Sequence, residues 1–399
     1  MKSLEQKARA YALKNAVAHE GKVNQGSVIS SLFHEGLKKD EVKKYIKIIS
    51  KIVSEVNSMS LEEQQKEFEK SEDMVSERKG REGLAELPNV GKKGVIMRFA
   101  PSPSGPLHIG HALTSSLSYL YVKKYGGKLI IRIEDTNPEN IYPPAYKMIE
   151  NEMNWLFKKE VEFHVQSYRM EIYYDYVEKL LKKNAIYVCT CHPNVFERFV
   201  LEKKNCPCRS IDKKLNVLRW KKMLDKKGFE PGEAVVRFKS DMKHPNPAMR
   251  DFPLLRINIA KHPLQKNKYR VWPLMNFAVA VDDLEMKITH VIRAKDHIDN
   301  ARRQEMIFNV LGKKSPWTGF LGRIKFTDLE ISKTKMRQAI EEGKYTGWDD
   351  PRLPTMEAMK KKYKPEAFWK FAEQIGLSES DKVMEKKEFF TLLDSFNKS

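Results

Sequence analysis

The sequence predicts an α/β protein: a parallel sheet interrupted by an inserted small domain, with an N-terminal helical extension and a C-terminal helical segment. Two observations predict the sheet. First, an apolar run at 95–99 is followed by a turn, a helix-like run and a second apolar run at 128–135, the order of a βαβ unit. Second, the same pattern returns at 270–283 and 288–297, after a stretch rich in cysteine and proline.

The chain begins with helical periodicity. Residues 1 to about 70 carry apolar positions at helical spacing, as in VKKYIKIISKIV at 42–53, and no strand pattern. The charged segment at 71–83 is typical of a helix end or a linker, and Pro88 and Gly91 close it. We therefore predict a helical extension over 1–90.

Composition narrows the class of protein. The 399 residues suffice for two to four domains. No apolar run approaches the roughly 18 residues of a membrane span, and the charged start has no signal-peptide core, which together predict a cytoplasmic protein. Lys and Arg outnumber Asp and Glu by 73 to 53, a net charge of +20 that favours a polyanionic partner such as nucleic acid. A lysine-rich genome would give the same surplus.

Two histidines follow the first strand, in the stretch APSPSGPLHIGH at 100–111. His108 and His111 are three residues apart, so on a helix they share one face, and the free N–H groups of a first helical turn attract anions. Gly110 between them leaves the backbone open to a flat base. The pattern predicts a binding site for the triphosphate of ATP. The alternative is a pair of exposed or core histidines on an amphipathic helix.

A second basic motif, ISKTK at 331–335, lies more than two hundred residues later. It places two lysines and two hydroxyls in a short loop ahead of a helical run. A lysine there can neutralise the charge that builds on the phosphates as the α-phosphorus is attacked. Considered alone, the motif is equally typical of a basic surface loop.

All four cysteines fall within twenty residues, as the pairs Cys189–Cys191 and Cys206–Cys208. Four thiolates in this arrangement can surround one tetrahedral Zn²⁺, and four protein ligands indicate a structural rather than a catalytic metal. His192 is a possible replacement ligand. Disulfides are disfavoured in a reducing cytoplasm, and four reduced core cysteines are the remaining alternative.

Several blocks together resemble the class I glutamyl-tRNA synthetases of the archaeal type, in that family's order over roughly 95–360. The blocks are RFAPSPSGPLHIGHA, GGKLIIRIEDTNPE, HPNPAMRD, VWPLMNFAVAVDD, THVIRAKDHIDN, ISKTK and GWDDPRLPT. The resemblance implies a Rossmann-like catalytic core. It also implies that ATP, with Mg²⁺, activates L-glutamate as glutamyl-adenylate, and that glutamate then passes to the 3′ end of tRNA(Glu).

The resemblance also implies residue roles. His108, His111 and Lys333 match the catalytic signatures; the first lysine of the second signature is replaced by Glu330. The implied ATP-binding residues are Pro101, Pro103, Gly105, His108, Gly110, His111, Lys333 and Lys335. The implied glutamate-binding residues are Arg98, Ala100, Ser102, Glu134 and Arg293.

Charge supports the glutamate pocket, because a guanidinium binds a carboxylate through a bidentate fork and an acid suits the ammonium. The alternative is that Arg98 and Glu134 pair with each other across neighbouring strands and serve only the fold. Met275 stands where bacterial relatives have a tyrosine, so a glutamate contact through that hydroxyl cannot be transferred.

The resemblance divides the chain into five predicted segments. They are an N-terminal helical extension (1–90), the first half of the catalytic domain (91–184), an insertion that binds the acceptor end and carries the zinc cluster (185–265), the second half with the lysine loop (266–335) and a helical stem-contact segment (336–399). Relatives continue into anticodon-binding barrels, whereas the segment GLSESDKVMEKKEFFTLLDSFNKS at 376–399 is predicted to form one amphipathic helix.

Several hypotheses follow for the missing anticodon reader: a truncated or split gene, a separate anticodon-binding subunit, or a paralogue that glutamylates another tRNA site or acceptor. Charging of tRNA(Gln) as well as tRNA(Glu) is left open. Two further alternatives are a small-molecule adenylyltransferase, which would not need Arg98, Glu134 and Arg293, and a non-catalytic tRNA-binding module.

Overall fold

A computed structural model describes residues 4–38, 40–75, 83–329 and 332–398 of the chain. The chain folds as two compact units, 1–82 and 83–399. The first unit is helical in its described residues. Its helices are α1 (Leu4–Ala18), α2 (Gln25–His34), α3 (Val42–Asn57) and α4 (Leu61–Glu69).

Small side chains form the centre of the first unit. Ala8, Ala12 and Ala16 recur along one face of α1 and are buried, which lets the neighbouring helices approach closely. Gln64 of α4 is fully buried, and its Nε2 donates to the carbonyls of Gly21 (3.0 Å) and Val56 (2.8 Å). These bonds tie α4 to the loop after α1 and to the last turn of α3.

The second unit contains the α/β structure. Its strands are β1 (Val95–Phe99), β2 (Gly127–Ile133), β3 (Glu162–Val165), β4 (Ile186–Cys189), β5 (Val235–Phe238), β6 (Pro253–Ile257), β7 (Val271–Pro273), β8 (His290–Ala294), β9 (Trp317–Leu321), β10 (Ile324–Phe326) and β11 (Lys382–Met384). Its helices are α5 (Ile109–Tyr125), α6 (Ala145–Leu156), α7 (Met170–Lys182), α8 (Pro193–Leu201), α9 (Lys213–Leu224), α10 (Met275–Glu285), α11 (Ile298–Val310), α12 (Lys333–Glu341), α13 (Met356–Met359), α14 (Pro365–Ile375) and α15 (Lys386–Lys398).

The main sheet has the strand order β3-β2-β1-β8-β9, and all its pairings are parallel. The predicted α/β fold class is thereby confirmed. The close pairing of β1 with β2 requires a glycine at position 127. Its φ is +114°, and a Cβ there would lie 1.9 Å from the carbonyl oxygen of Val95. The order reverses between β1 and β8, so their carboxyl ends flank a crevice of the kind that binds ligands in open α/β sheets.

A four-stranded antiparallel sheet, β4-β5-β6-β7, lies between β3 and β8 in the sequence. It joins the main sheet through His262, whose Nε2 contacts the carbonyl oxygen of Asp135 at 2.9 Å while its ring stacks on Trp272. Asp135 also accepts from the hydroxyl of Tyr146 (2.6 Å) and the N–H of Ser167 (2.8 Å). The inserted sheet is thus fastened to the carboxyl end of β2.

The prediction of one helix over 376–399 is wrong for its first part. Residues Lys382–Met384 form β11, which pairs in parallel with β10, and only Lys386–Lys398 is helical. Met384 is buried while Val383 is exposed, the alternation of a strand. The exposed edge of β10 supplies the backbone partner that the local sequence does not reveal.

Among the described helices, none has both the length and the apolar character to cross a bilayer.

Candidate active site

A cavity of about 940 Å³ opens at the carboxyl ends of β1, β2 and β8. Its walls include these predicted site residues: Arg98, Ala100, Pro101, Ser102, His108, Gly110, His111, Glu134 and Arg293. Met275, the position that departs from bacterial relatives, also lines it. Of the predicted ATP-binding residues, which all lie in the described part of the chain, Pro103, Gly105, Lys333 and Lys335 are outside this lining.

The two histidines cap the start of α5, because each ring accepts a backbone N–H of the same turn. His108 is the N-cap, and its Nδ1 accepts the N–H of Gly110 at 3.1 Å. Nδ1 of His111 accepts the N–H of His108 at 3.2 Å, and the ring centroids are 3.8 Å apart. A neutral imidazole whose Nδ1 accepts carries its proton on Nε2. Each ring therefore keeps an Nε2–H donor for a ligand in the cavity.

Both imidazoles are held neutral. Burial, and then the charge of Lys333, lower the pKa of His108 to about 3. Burial, followed by the neighbouring His108 and Lys333, holds the pKa of His111 well below its usual range. Two adjacent rings that stay uncharged can both donate to one polyphosphate without repelling each other.

Lys333 is the first residue of α12, rather than part of a loop ahead of it. Its Nζ lies 3.4 Å from the carbonyl oxygen of Gly105, in the turn before the histidines. Burial, with a smaller contribution from Arg337, lowers the pKa of Lys333 to about 8, although Glu152 opposes the shift. Lys335 is exposed, and Glu330 lies outside the described residues.

Arg337 fastens α12 to the same turn. Its Nη2 donates to the carbonyl oxygen of Ser104 at 2.6 Å, and its guanidinium lies 4.7 Å from the ring centre of Tyr142. The N–H of Tyr142 in turn donates to the carbonyl oxygen of Pro103 at 2.8 Å. Lys333 is therefore brought beside the histidine turn by contacts that the sequence analysis did not identify.

Arg98 is buried and forms a two-point ion pair with Asp283 of α10. The distances are 3.1 Å from Nε to Oδ1 and 3.3 Å from Nη2 to Oδ2. Asp283 also accepts from Nη1 of Arg132 at 2.7 Å. Arg98, followed by Arg132, holds the pKa of the Asp283 carboxyl below its usual value despite burial. The Nε and Nη2 of Arg98 are thus committed to Asp283, and the guanidinium is held in one orientation at the cavity wall.

Glu134 pairs with Arg132, at 3.1 Å from Oε1 to Nη2, and not with Arg98. The alternative in which Arg98 and Glu134 pair only with each other is therefore wrong. Burial raises the pKa of Glu134, and the charges of Arg132 and Arg98 act against that rise. A carboxylate in this position is suited to accept an ammonium group from the cavity.

Arg293 of β8 is held differently. Its Nη1 donates to Oε1 of Gln304 at 2.9 Å, while its buried Nε has no hydrogen-bond partner among the described residues. Burial, with a further contribution from Arg98, lowers the pKa of Arg293 to about 10. Within the part of the chain that the structure describes, this arginine lacks the paired carboxylate that Arg98 has.

Four residues of this network are absent from the predicted site: Arg132, Asp282, Asp283 and Gln304. Asp282 is fully buried and accepts from Arg169 (2.7 Å), Tyr173 (2.7 Å) and Gln166 (2.9 Å). The available signal was a charge within an apolar run: Arg132 in KLIIRI, and the two aspartates that end MNFAVAVDD. Buried charges of this kind need partners.

The four cysteines come together in the insertion. Their Sγ atoms all lie within 4.8 Å of one another, with Cys189–Cys206 at 3.6 Å and Cys191–Cys208 at 3.8 Å. Tetrahedral zinc with bonds of about 2.3 Å requires sulfur separations of about 3.8 Å. The group fits Zn²⁺, and all four cysteines are free of disulfides. The N–H of Thr190 also donates to Sγ of Cys208 at 3.4 Å, as expected around a thiolate ligand.

Comparison with known proteins identifies the family. The catalytic domain of the class I tRNA synthetases for E and Q, glutamate and glutamine in one-letter code, matches residues 94–395. The chain belongs to this synthetase family. A glutamate–tRNA ligase of Methanothermobacter marburgensis is 44% identical over 386 residues, covering 96% of this chain and 69% of the relative. The ligase of Methanobrevibacter smithii is 42% identical over 400 residues, covering 99% and 71%.

Solved structures agree on the synthetase fold. A glutamate tRNA ligase from Elizabethkingia meningosepticum, in complex with its amino acid, superposes with a TM-score of 0.51 at 24% identity, covering 70% of this chain and 60% of that one. The glutamate-tRNA synthetase of Elizabethkingia anophelis gives a TM-score of 0.54 at 22% identity, covering 75% and 70%. At these identities the likeness concerns the fold alone.

Proposed function

We propose that this synthetase-family chain activates L-glutamate with ATP and transfers it to the 3′ end of tRNA(Glu). The observation that carries the proposal is a single cavity with two chemically different ends: the neutral Nε2–H donors of His108 and His111, and the charged group of Arg98, Glu134 and Arg293. The first suits a polyphosphate, and the second suits an amino acid with two carboxylates and one ammonium. The relatives named glutamate–tRNA ligase support the choice of substrate.

In the first step, an α-carboxylate oxygen of glutamate attacks the α-phosphorus of ATP. The bond to the bridging oxygen breaks, and pyrophosphate leaves with the electron pair. His108 and His111 donate to phosphate oxygens, and Lys333 stabilises the charge that grows on them. When bound with ATP, Mg²⁺, which this synthetase family uses, would further neutralise the phosphates. Arg98 and Arg293 bind the carboxylates, and Glu134 binds the ammonium.

In the second step, a hydroxyl of the terminal ribose attacks the carbonyl carbon of glutamyl-adenylate. AMP leaves with the electron pair, and the hydroxyl proton is released. We propose that the insertion at 185–265 binds the acceptor end, and that Cys189, Cys191, Cys206 and Cys208 hold a structural Zn²⁺ within it. We also propose the cytoplasm as the location, because the family serves translation.

The test is exchange of labelled pyrophosphate into ATP, measured with glutamate, glutamine or aspartate, and with or without tRNA. We expect exchange with glutamate. A properly folded chain that gives no exchange in any of these conditions would exclude the proposal.

A second measurement identifies the acceptor. Labelled glutamate is offered with tRNA(Glu) or tRNA(Gln), each untreated or oxidised with periodate to destroy the terminal ribose diol. Transfer to the 3′ end requires that oxidised tRNA accept no label. Label that persists on oxidised tRNA would favour the paralogue that glutamylates another site.

A further inference from the structure

We propose that Gln304 determines the charge requirement of the amino-acid end: its neutral amide orients Arg293 without neutralising it, so the cavity selects a substrate whose side chain is anionic. The inference rests on the proposed function, in which this end of the cavity binds glutamate. It assigns a specificity-determining role to a side chain of α11 that acts through Arg293.

Two hydrogen bonds fix the orientation of the Gln304 amide. Its Oε1 accepts from Nη1 of Arg293 at 2.9 Å, and its Nε2 donates to Oδ1 of Asn276 at 3.3 Å. Gln304 is 6% exposed and Arg293 is 9% exposed, so the bond between them is largely shielded from bulk water. The amide therefore determines where the guanidinium points.

The two arginines of the pocket differ in the charge of their partners. Arg98 has a carboxylate partner in Asp283, whereas the partner of Arg293 is an amide. The charges that act on Arg293 come from Arg98, Arg132, Glu134 and Asp283, two positive and two negative. By formal count these four charges sum to zero, so the positive charge of Arg293 itself has no counterion among them.

Two further carboxylates, Asp282 and Asp296, already form ion pairs with other arginines. Asp282 is paired with Arg169 at 2.7 Å, and Asp296, which lines the cavity, is paired with Arg323 at 2.5 Å. The buried Nε of Arg293 has no partner in the described structure. A buried guanidinium without a counterion is unfavourable, so an anionic ligand group at this point relieves the cost.

The preference for glutamate over glutamine follows from the uncompensated positive charge of Arg293. The side-chain carboxylate of glutamate neutralises Arg293 and can accept from its free N–H groups, whereas the amide of glutamine leaves the charge unbalanced. A carboxylate at position 304 would supply the missing counterion from the protein and would compete with glutamate for it.

The experiment compares Gln304→Glu with Gln304→Met, which have side chains of similar size. The first keeps an acceptor for Arg293 and adds a charge; the second removes the acceptor and adds none. KM and kcat for glutamate and for glutamine are measured by pyrophosphate exchange at saturating ATP and tRNA. KM for ATP serves as a control and is expected to stay near wild type. The melting temperature is measured as well, and only Gln304→Met should lower it, because it leaves a buried N–H of Arg293 unpaired.

We expect Gln304→Met to raise KM for glutamate about 10-fold, the usual effect of losing one hydrogen bond that orients a charged group. Gln304→Glu should raise it roughly 100-fold or more, and should reduce the preference for glutamate over glutamine. Both variants lose the donor to Asn276, but only Gln304→Glu keeps the acceptor for Arg293. A merely structural role therefore gives the opposite order, with Gln304→Met the more harmful change, and that order would overturn the inference. A wild-type chain without glutamate-dependent exchange would instead refute the proposed function itself.

Discussion

The two ends of the cavity are constructed in different ways. At the histidine end, the groups that orient His108 and His111 are backbone N–H groups within four residues of the chain. At the arginine end, Arg98 depends on Asp283, which is 185 residues away in the sequence, and Arg132 depends on the same carboxylate at a separation of 151 residues. Neutral donors can be set by local structure, whereas buried charges require partners from other elements.

The largest effect is expected where the arginine end loses its shared carboxylate. Asp283→Asn leaves Arg98 and Arg132 as buried charges with weaker partners, so the free energy of unfolding should fall by about 3–5 kcal/mol. Glutamate activation should fall by roughly 1000-fold, because Arg98 loses the pair that orients it. Urea unfolding and pyrophosphate exchange measure the two effects.

The matched control is Asp296→Asn, which removes a cavity-lining carboxylate whose partner, Arg323, is on the surface. Its cost should stay below about 1 kcal/mol, as for other exposed ion pairs. Equal costs for the two variants would contradict the view that the arginine end depends on buried pairing.

At the histidine end, capping and phosphate binding can be separated. His108→Ala removes both the N-cap and the Nε2–H donor, whereas His108→Asn retains a side chain that caps helices well. We expect both variants to lower kcat/KM for ATP by about 100- to 1000-fold. Only His108→Ala should also lose about 1 kcal/mol of stability. If His108→Asn kept wild-type activity, the imidazole would serve the fold rather than ATP.

A smaller effect is expected from Arg337, which holds Lys333 beside the histidine turn. Arg337→Gln loses the charge-assisted bond to Ser104 and the contact with the Tyr142 ring, so KM for ATP should rise about 10-fold, while KM for glutamate changes little. Gln338→Ala, on the same helix but exposed, is the control. A rise in KM for glutamate alone would show that the two ends are not separable in this way.

The smallest effect on activation is expected from the cysteine cluster. Cys191→Ser should abolish binding of one Zn²⁺ per chain, measured by metal analysis, and lower the melting temperature because metal binding stabilises the surrounding fold. Pyrophosphate exchange at saturating tRNA should stay within about 3-fold of wild type. Thr190→Val keeps the backbone N–H that contacts Cys208 and should retain the metal. Wild-type protein purified without zinc, and unable to bind it, would contradict the assignment.

The comparison also explains what the sequence predicts well. The geometry of the turn at 100–111 is determined locally, by a strand end, three prolines and a helix start, so the positions of the histidines follow from neighbours along the chain. The parallel sheet follows from apolar runs of strand length. Asp283 and Gln304 were missed because their significance depends on Arg98 and Arg293, which only the folded sheet brings to them. The strand at 382–384 was missed for the same reason, since its partner is β10.

The position of β8 has a consequence for how the chain acquires activity during its synthesis. The strand pairs with β1 after a detour through the whole insertion, and the N–H of Ile96 donates to Oγ1 of Thr289 across 193 residues. The histidine cap at 108–111 is made early in synthesis, whereas Arg293 and Gln304 follow more than 180 residues later. In the proposed function, the amino-acid end of the cavity is therefore completed long after the histidine turn.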